Sequence, residues 1–360
     1  MSKVGILSMQ RIKNYGSFLQ AYALKNMIEQ LGHNVVFVDY RKEPPLVKNE
    51  NKIKSILNSN ASLYNKIKYV IYKKRFNRNL ISLGINNNYN YTPKLDVLVI
   101  GSDEVFNCVQ SNKNVGYSKE LFGYNNNAKK IVTYAASFGN TTLEKLKKYK
   151  IDKEIGELLN NIDNISVRDE NSYNIVKELT KKDIIYNLDP VLVYDFKSLY
   201  NRKIIKEKYI LLYAYTNRMS ITELKCIKKY AKDNNLKIYS IGGVHKYIDK
   251  FIDCNPFDIL SYFNCAQVII TDTFHGSIFS IITKKKFVTL VRESKNDNYG
   301  NEEKLYHLLN TLNLKNRIIT DIKSLQYVLN KNIDYKKTDY IISKEKIRTE
   351  EYLSNVLGRD

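Results

Sequence analysis

The segment AQVIITDTFHGSIFSIITKKKF, residues Ala266–Phe287, decides the class of fold. Val268, Ile269 and Ile270 form a short, wholly apolar run, the pattern of a strand covered on both faces in a parallel sheet. Thr271–Gly276 supply a polar turn, and Ser277–Ile282 read as the first turns of a buried helix. A strand running into a helix leaves backbone N–H groups and the positive end of a dipole facing outward, which is a geometry that binds phosphate or carboxylate. His275 stands at that point, one of four histidines in the chain. An imidazole beside an anion cradle suits an acid–base step on an anionic substrate. A plainer reading stays open, in which Asp272 and Thr273 only cap the helix and Gly276 only eases the turn.

Outward from this segment the same pattern recurs. Val4–Ser8 reads as a strand and Gly16–Leu31 as a helix with Leu19, Ala23, Leu24, Met27 and Ile28 on one face; Gly32 stops it before a strand at Val35–Asp39. That is the β-α-β opening of a parallel sheet. Further strands are expected at Leu95–Gly101, Ile131–Ala136, Ile165–Val167 and Ile184–Leu188, with helices at Thr142–Asn161 and Glu170–Leu179. A second set begins near Lys208, with strands at Tyr209–Tyr215, Lys237–Ile241 and Phe287–Val291. Its helices are expected at Ile221–Asn234, Pro256–Asn264 and Glu302–Leu312, before a final amphipathic helix at Ser343–Leu357. The expected architecture is α/β, with two Rossmann-like β/α domains facing a cleft. They would span residues 1–200 and 201–335, followed by a helical tail at 336–360. Residues 48–91 interrupt the first domain as a basic, Asn- and Tyr-rich helical excursion, either solvated or touching an anionic membrane surface.

At 360 residues and 43% hydrophobic composition the chain is long and apolar enough for a sizeable core, which excludes a disordered class. No apolar run approaches a membrane span, and Lys3–Leu7 reads as a first core strand, not a signal peptide. Four cysteines without CxxC spacing argue against a zinc site or disulfide framework and for a reducing cytoplasm. The net charge of +21 admits nucleic acid, an anionic membrane or acidic small substrates as partners. It also fits a chain simply rich in Lys, Asn, Ile and Tyr. No nucleic-acid motif appears, and the charge is spread along the chain, so no nucleic-acid partner is expected.

The remaining polar candidates follow the carboxyl ends of expected strands, where doubly wound sheets place their ligands. Asn14-Tyr15-Gly16, Ser102-Asp103, Ser137, Arg168 and His275 all do so. These residues carry a resemblance. Asn14-Tyr15-Gly16 with LQAYAL at Leu19–Leu24, Gly101-Ser102-Asp103 with Asn107, and YAASFG at Tyr134–Gly139 resemble, in order, motifs of the polysaccharide pyruvyl transferases. Ser166-Val167-Arg168, Leu188-Asp189-Pro190 and TDTFHG at Thr271–Gly276 complete the set, over a stretch from about Lys3 to Val291.

The resemblance implies a glycosyltransferase-B-like fold and transfer of pyruvate from phosphoenolpyruvate onto two hydroxyls of a sugar, giving a cyclic ketal. It puts Arg168 and His275 at positions for donor binding and catalysis, with Lys295 a further basic donor position. Gly276 and Ser277 would add backbone N–H groups for the departing phosphate. Asn14, Tyr15, Gly16, Ser102, Asp103, Asn107 and Ser137 would serve the acceptor, a lipid-linked or nucleotide-activated sugar of a surface-polysaccharide precursor. No cofactor and no metal are expected. The enzyme would be cytoplasmic, with peripheral contact at the inner face of the membrane. The chain departs from the family pattern at Glu104 and Phe106, where Gln and Trp are usual, and Ser294–Lys304 lacks an expected arginine that Lys304 would replace. A nucleotide-sugar glycosyltransferase on the same fold and a non-catalytic basic binding protein are the rival expectations.

Overall fold

The structure is a computed structural model, and it describes residues 1–47, 61–110, 115–292 and 302–358. Lys295 and residues 48–60 of the basic excursion therefore lie outside the described residues. Two six-stranded sheets form, and every pairing within them is parallel. The first holds β1 (Lys3–Leu7), β2 (Asn34–Val38), β3 (Lys94–Asp103), β4 (Asn127–Ala136), β5 (Ile165–Val167) and β6 (Ile184–Tyr186), in the order β2-β1-β3-β4-β5-β6. The second holds β7 (Tyr209–Tyr213), β8 (Lys237–Ile241), β9 (Lys250–Phe251), β10 (Val268–Thr271), β11 (Phe287–Leu290) and β12 (Ile318–Ile319), in the order β12-β11-β10-β7-β8-β9. Both sheets thus have a switch point, between β1 and β3 and between β7 and β10, where a crevice opens beyond the strand ends. The arrangement is the expected α/β, glycosyltransferase-B-like one.

Local chemistry explains where the helices stand. Asn14 caps the helix Tyr15–Gln30 by accepting from the Gly16 N–H at 2.8 Å. Thr273 caps Phe274–Ile282 by accepting from the Gly276 N–H at 2.9 Å. That helix begins three residues earlier than the apolar pattern alone suggests, so His275 lies inside its first turn. The single helix expected over 142–161 is two, Leu143–Lys148 and Asp152–Asn160, because Lys150 adopts φ 57° between them. The excursion folds into a helix at Leu63–Arg75 and a 3-10 turn at Phe76–Leu83.

The two halves share an aromatic seam. Tyr15 stacks on Tyr72 with centroids 5.5 Å apart, and Tyr72 meets Phe251 at 5.9 Å. Phe18 and Tyr22 meet Phe257 edge-on at 5.3 and 5.0 Å. Such pairs add directional preference to apolar burial, so they fix how the sheets face each other. The last helix, Tyr335–Leu357, is eight residues longer at its start than the sequence pattern suggests, and it bridges both halves. Its first turn reaches the second half through Tyr335 Oη, which donates to Lys285 O at 2.8 Å. Its last turns reach the first, where Tyr352 Oη donates to Thr133 O at 2.7 Å.

Candidate active site between the two sheets

The two switch points face each other, and the helices that follow β1 and β10 bring their positive ends to the same place. Gly16, in the first turn of one, lies directly against the imidazole of His275, in the first turn of the other. A Cβ at Gly16 would fall inside van der Waals contact of His275 Nδ1, so only glycine lets the two helix starts meet.

Behind this contact sits Asp189, after β6, with a fully buried carboxylate. Its Oδ2 accepts from Arg168 Nη1 at 2.9 Å and from Ser102 Oγ at 3.3 Å. His275 Nε2 stands 3.5 Å from the same oxygen. The Arg168 guanidinium also lies 3.5 Å from Asp103 Oδ1 by its Nη2, and 4.4 Å from the centre of the Phe274 ring. Burial works against charge at Asp189, but His275 and then Arg168 hold its carboxyl below the usual range. Burial likewise opposes the charge on Arg168, yet Asp103, Asp189, Asp169 and Glu104 keep its pKa raised. Arg168 Nε and His275 Nε2 are both buried without a completed hydrogen bond. Two buried nitrogens left unspent on the side chains that flank Asp189 suit an incoming oxyanion.

Glu104 and Lys304 form the other tie across the cleft, with Lys304 Nζ donating to Glu104 Oε1 at 2.6 Å. Burial would raise the Glu104 carboxyl, but Lys304, Arg168 and the Asn107 amide hold it down to about 2. Next to Lys304, Glu303 accepts from the Asn171 N–H at 2.9 Å; burial and Asp169 push its carboxyl up to about 7. A depressed carboxyl stabilises the fold fully above its ordinary value of 4.5 and loses that contribution as pH falls toward 2. Replacing Lys304 with Met is therefore expected to move the acid-unfolding midpoint to higher pH, as followed by circular dichroism. An unchanged midpoint would mean the pair contributes nothing.

On the second sheet, Arg292 lies 3.4 Å from Asp272 Oδ2 and 3.1 Å from Glu223 Oε1, and the Arg218 guanidinium covers Tyr215 at 4.6 Å. Burial raises the Asp272 carboxyl despite Arg218 and Arg292. Tyr215 Oη accepts from Asn14 Nδ2 at 2.6 Å, so Arg218 reaches the rim beside Asn14.

The structure separates the sequence candidates by position. Arg168, His275, Asn14, Gly16 and Asp103 converge on the cleft. Asp103 is anchored there by the Ser17 hydroxyl at 2.6 Å. Tyr15 turns into the aromatic seam and donates to Cys254 O at 3.0 Å. Ser102, Ser137 and Asn107 are buried supports: Ser137 donates to Asp169 at 2.5 Å, and Asn107 bonds Glu104, Asn140 and Thr141. The Gly276 and Ser277 amides are taken by Thr273 at 2.9 and 3.1 Å, so neither is free to hold phosphate; the helix-start donors left are those of Phe274 and His275. Phe106 is fully buried against Phe122, centroids 4.5 Å apart, and does not face the cleft, so its departure from Trp bears on packing and not on acceptor contact. His245 is buried against Ala214 O at 3.1 Å, and burial pushes it down to about 4, a structural role. Sequence reasoning gave Asp189 no role, although its place in a strand-end Leu-Asp-Pro was a signal. Among the described residues no group of three His, Cys, Asp or Glu side chains is placed to hold a metal ion.

A cavity of about 590 Å³ opens beside this cluster and not on it, between the loop after β1, the end of β2 and the 3-10 turn. Ser8 belongs to both, since it lines the cavity and donates to Ser102 O at 2.8 Å. Arg11, Lys13, Lys42 and Arg78 line it together with Tyr40 and Tyr89.

Comparison with known proteins agrees with the fold. The family model for polysaccharide pyruvyl transferase matches residues 14–294. Among curated proteins none matches the sequence. Among solved structures, S. aureus MnaA with UDP superposes with a TM-score of 0.52 at 10% identity, covering 100% of this chain and 99% of that one. The UDP-GlcNAc 2-epimerase from Methanocaldococcus jannaschii gives 0.52 at 11% identity, covering 99% of each chain. At such identities the likeness is one of fold alone.

Proposed function

Because the chain belongs to the polysaccharide pyruvyl transferase family, we propose that it transfers pyruvate from phosphoenolpyruvate onto two hydroxyls of a sugar, forming a cyclic ketal. The observation that carries this reading is the meeting of Arg168 and His275 on one buried carboxylate, Asp189, at two facing helix starts. Phosphoenolpyruvate brings a phosphate and a carboxylate. The unspent Arg168 Nε and the Phe274 and His275 amides are the donors available to them. His275 gives a proton to the methylene carbon, whose double-bond electrons make the new C–H bond and leave an oxocarbenium-like centre. A sugar hydroxyl adds there, and its proton returns to His275. Phosphate then leaves with the C–O bonding pair, the second hydroxyl adds, and its proton goes to the phosphate. Asp189 stabilises the imidazolium and aims the ring without itself accepting a proton.

Asn14 and Asp103 face this point from the first sheet and serve the acceptor. The donor lies between Arg168 of the first half and the Phe274–His275 helix start of the second. Purified protein incubated with phosphoenolpyruvate and a panel of lipid-linked and nucleotide-activated sugars should release phosphate only when a competent acceptor is present. Phosphate release that ignores the acceptor would count against transfer. The Gly16 contact gives a sharper test. Gly16→Ala displaces the imidazole, and a misplacement of that order costs about 10²-fold in turnover. A Gly16→Ala enzyme with normal kcat would show that the two helix starts need not touch.

A further inference from the structure

The helix Leu63–Arg75 has two apolar faces, and among the described residues only one of them is packed. Asn65, Tyr69 and Tyr72 point inward, where Tyr72 joins the aromatic seam and the Asn65 carboxamide accepts from the Phe251 N–H at 3.2 Å. At 3.6 residues per turn the opposite face is Leu63, Ile67, Val70 and Ile71, which are 74, 52, 42 and 36% exposed. Tyr64 extends it at 63%. A surface helix normally shows water its polar face, so a continuous apolar stripe here is the exception that marks a contact surface.

The flanks say what it contacts. Lys66 and Lys73 border the stripe on one side and Lys68 and Arg75 on the other, with Lys74 within it. Residues 51–95 contain no Asp or Glu at all. The acid that reaches this helix from elsewhere is Asp253, which senses Arg75 and Lys68 from the second half. A second copy of this chain docking through the same face would set these cations against each other across a two-fold axis. An anionic bilayer surface accepts both parts, the stripe entering the headgroup boundary and the exposed Lys74 and Arg75 extending to lipid phosphates. We infer that the Leu63–Arg75 helix docks the enzyme on the surface of an anionic lipid bilayer.

The position of this face gives it a use. Tyr72 stacks on Tyr15, and Lys13 and Lys73 each donate an Nζ hydrogen to the other's carbonyl at 2.9 Å. The docking helix is thereby fastened to the loop that carries Asn14 and leads into the helix start at Gly16. The basic cavity borders the same loop, through Lys13 and Arg78. A sugar on a lipid phosphate would thus meet the acceptor side of the cleft from the membrane. The docking itself does not depend on the pyruvyl-transfer reading.

The test is co-sedimentation of the full chain with vesicles of roughly 3:1 phosphatidylcholine to phosphatidylglycerol, against phosphatidylcholine alone. The protein should pellet with the anionic vesicles, lose binding as salt rises, and bind at least about tenfold more weakly as L63S/I67S/V70S or as K68E/K74E. The side chains changed are exposed, apart from half-buried Lys68 against the Tyr64 ring, and none belongs to the cleft, so phosphate release with a soluble acceptor should stay at the unsubstituted level, which separates loss of docking from loss of fold. Equal pelleting by the variants, or no pelleting by the unsubstituted protein, would overturn the inference. A dimer that L63S/I67S/V70S turns into a monomer, without lipid binding, would overturn it in favour of a second copy.

Discussion

Replacing His275 with Asn is expected to lower kcat by about 10²- to 10⁴-fold, the usual contribution of a positioned general acid. The affinity for phosphoenolpyruvate should change far less, because the anion is held by Arg168 and the helix-start amides. His275 Nε2 stands 3.5 Å from Asp189, outside a completed hydrogen bond, and the ring packs against Gly16 and Phe274, so the fold should survive the change. Circular dichroism and thermal unfolding of the variant check that point. Rapid-quench turnover then separates the proton-transfer step from binding. A His275→Asn protein with near-normal turnover would remove the imidazole from the mechanism.

The second large effect belongs to Asp189. Asp189→Asn removes the buried charge that Arg168 and His275 share, and breaking such a pair costs about 3–5 kcal/mol of stability. The pH dependence gives this a signature. The Asp189 carboxyl is held below its ordinary value of 3.8, so its stabilisation is complete above that value. It is lost only as pH falls through the lower, folded-state pKa. The gap in unfolding free energy between the two proteins should therefore be widest near neutrality and close in strong acid. Urea titrations across pH measure it directly. A gap that stays constant into acid would assign the loss to shape and not to charge. Turnover should fall as well, since the imidazole loses the group that aims it.

Much of the fold is legible in the sequence because buried parallel strands are written as unbroken apolar runs, as at Val268–Ile270 and in LDVLVIG at Leu95–Gly101. The two-residue strands Lys250–Phe251 and Ile318–Ile319 carry no such run, and nothing around Lys150 signals the break between helices there. The site was legible as a set of strand ends, but not as a set of partners. Arg168 and Asp189 lie 21 residues apart, and Asp189 and Ser102 lie 87 apart. Two of the departures from the family pattern, Glu104 and Lys304, look unrelated in the sequence; 200 positions apart, they are each other's partner. The basic excursion shows the same limit. Ile67, Tyr69, Val70 and Ile71 all suggest a helix, yet only the packing reveals that Tyr69 faces in while the other three face out.

The reaction run in D₂O tests the central claim most directly. Protonation of the phosphoenolpyruvate methylene from solvent by way of His275 predicts a product heavier than the acceptor by pyruvate less water, with one deuterium in the new methyl group. A product that gains a sugar in place of pyruvate, or a pyruvyl product with no deuterium, would contradict the account.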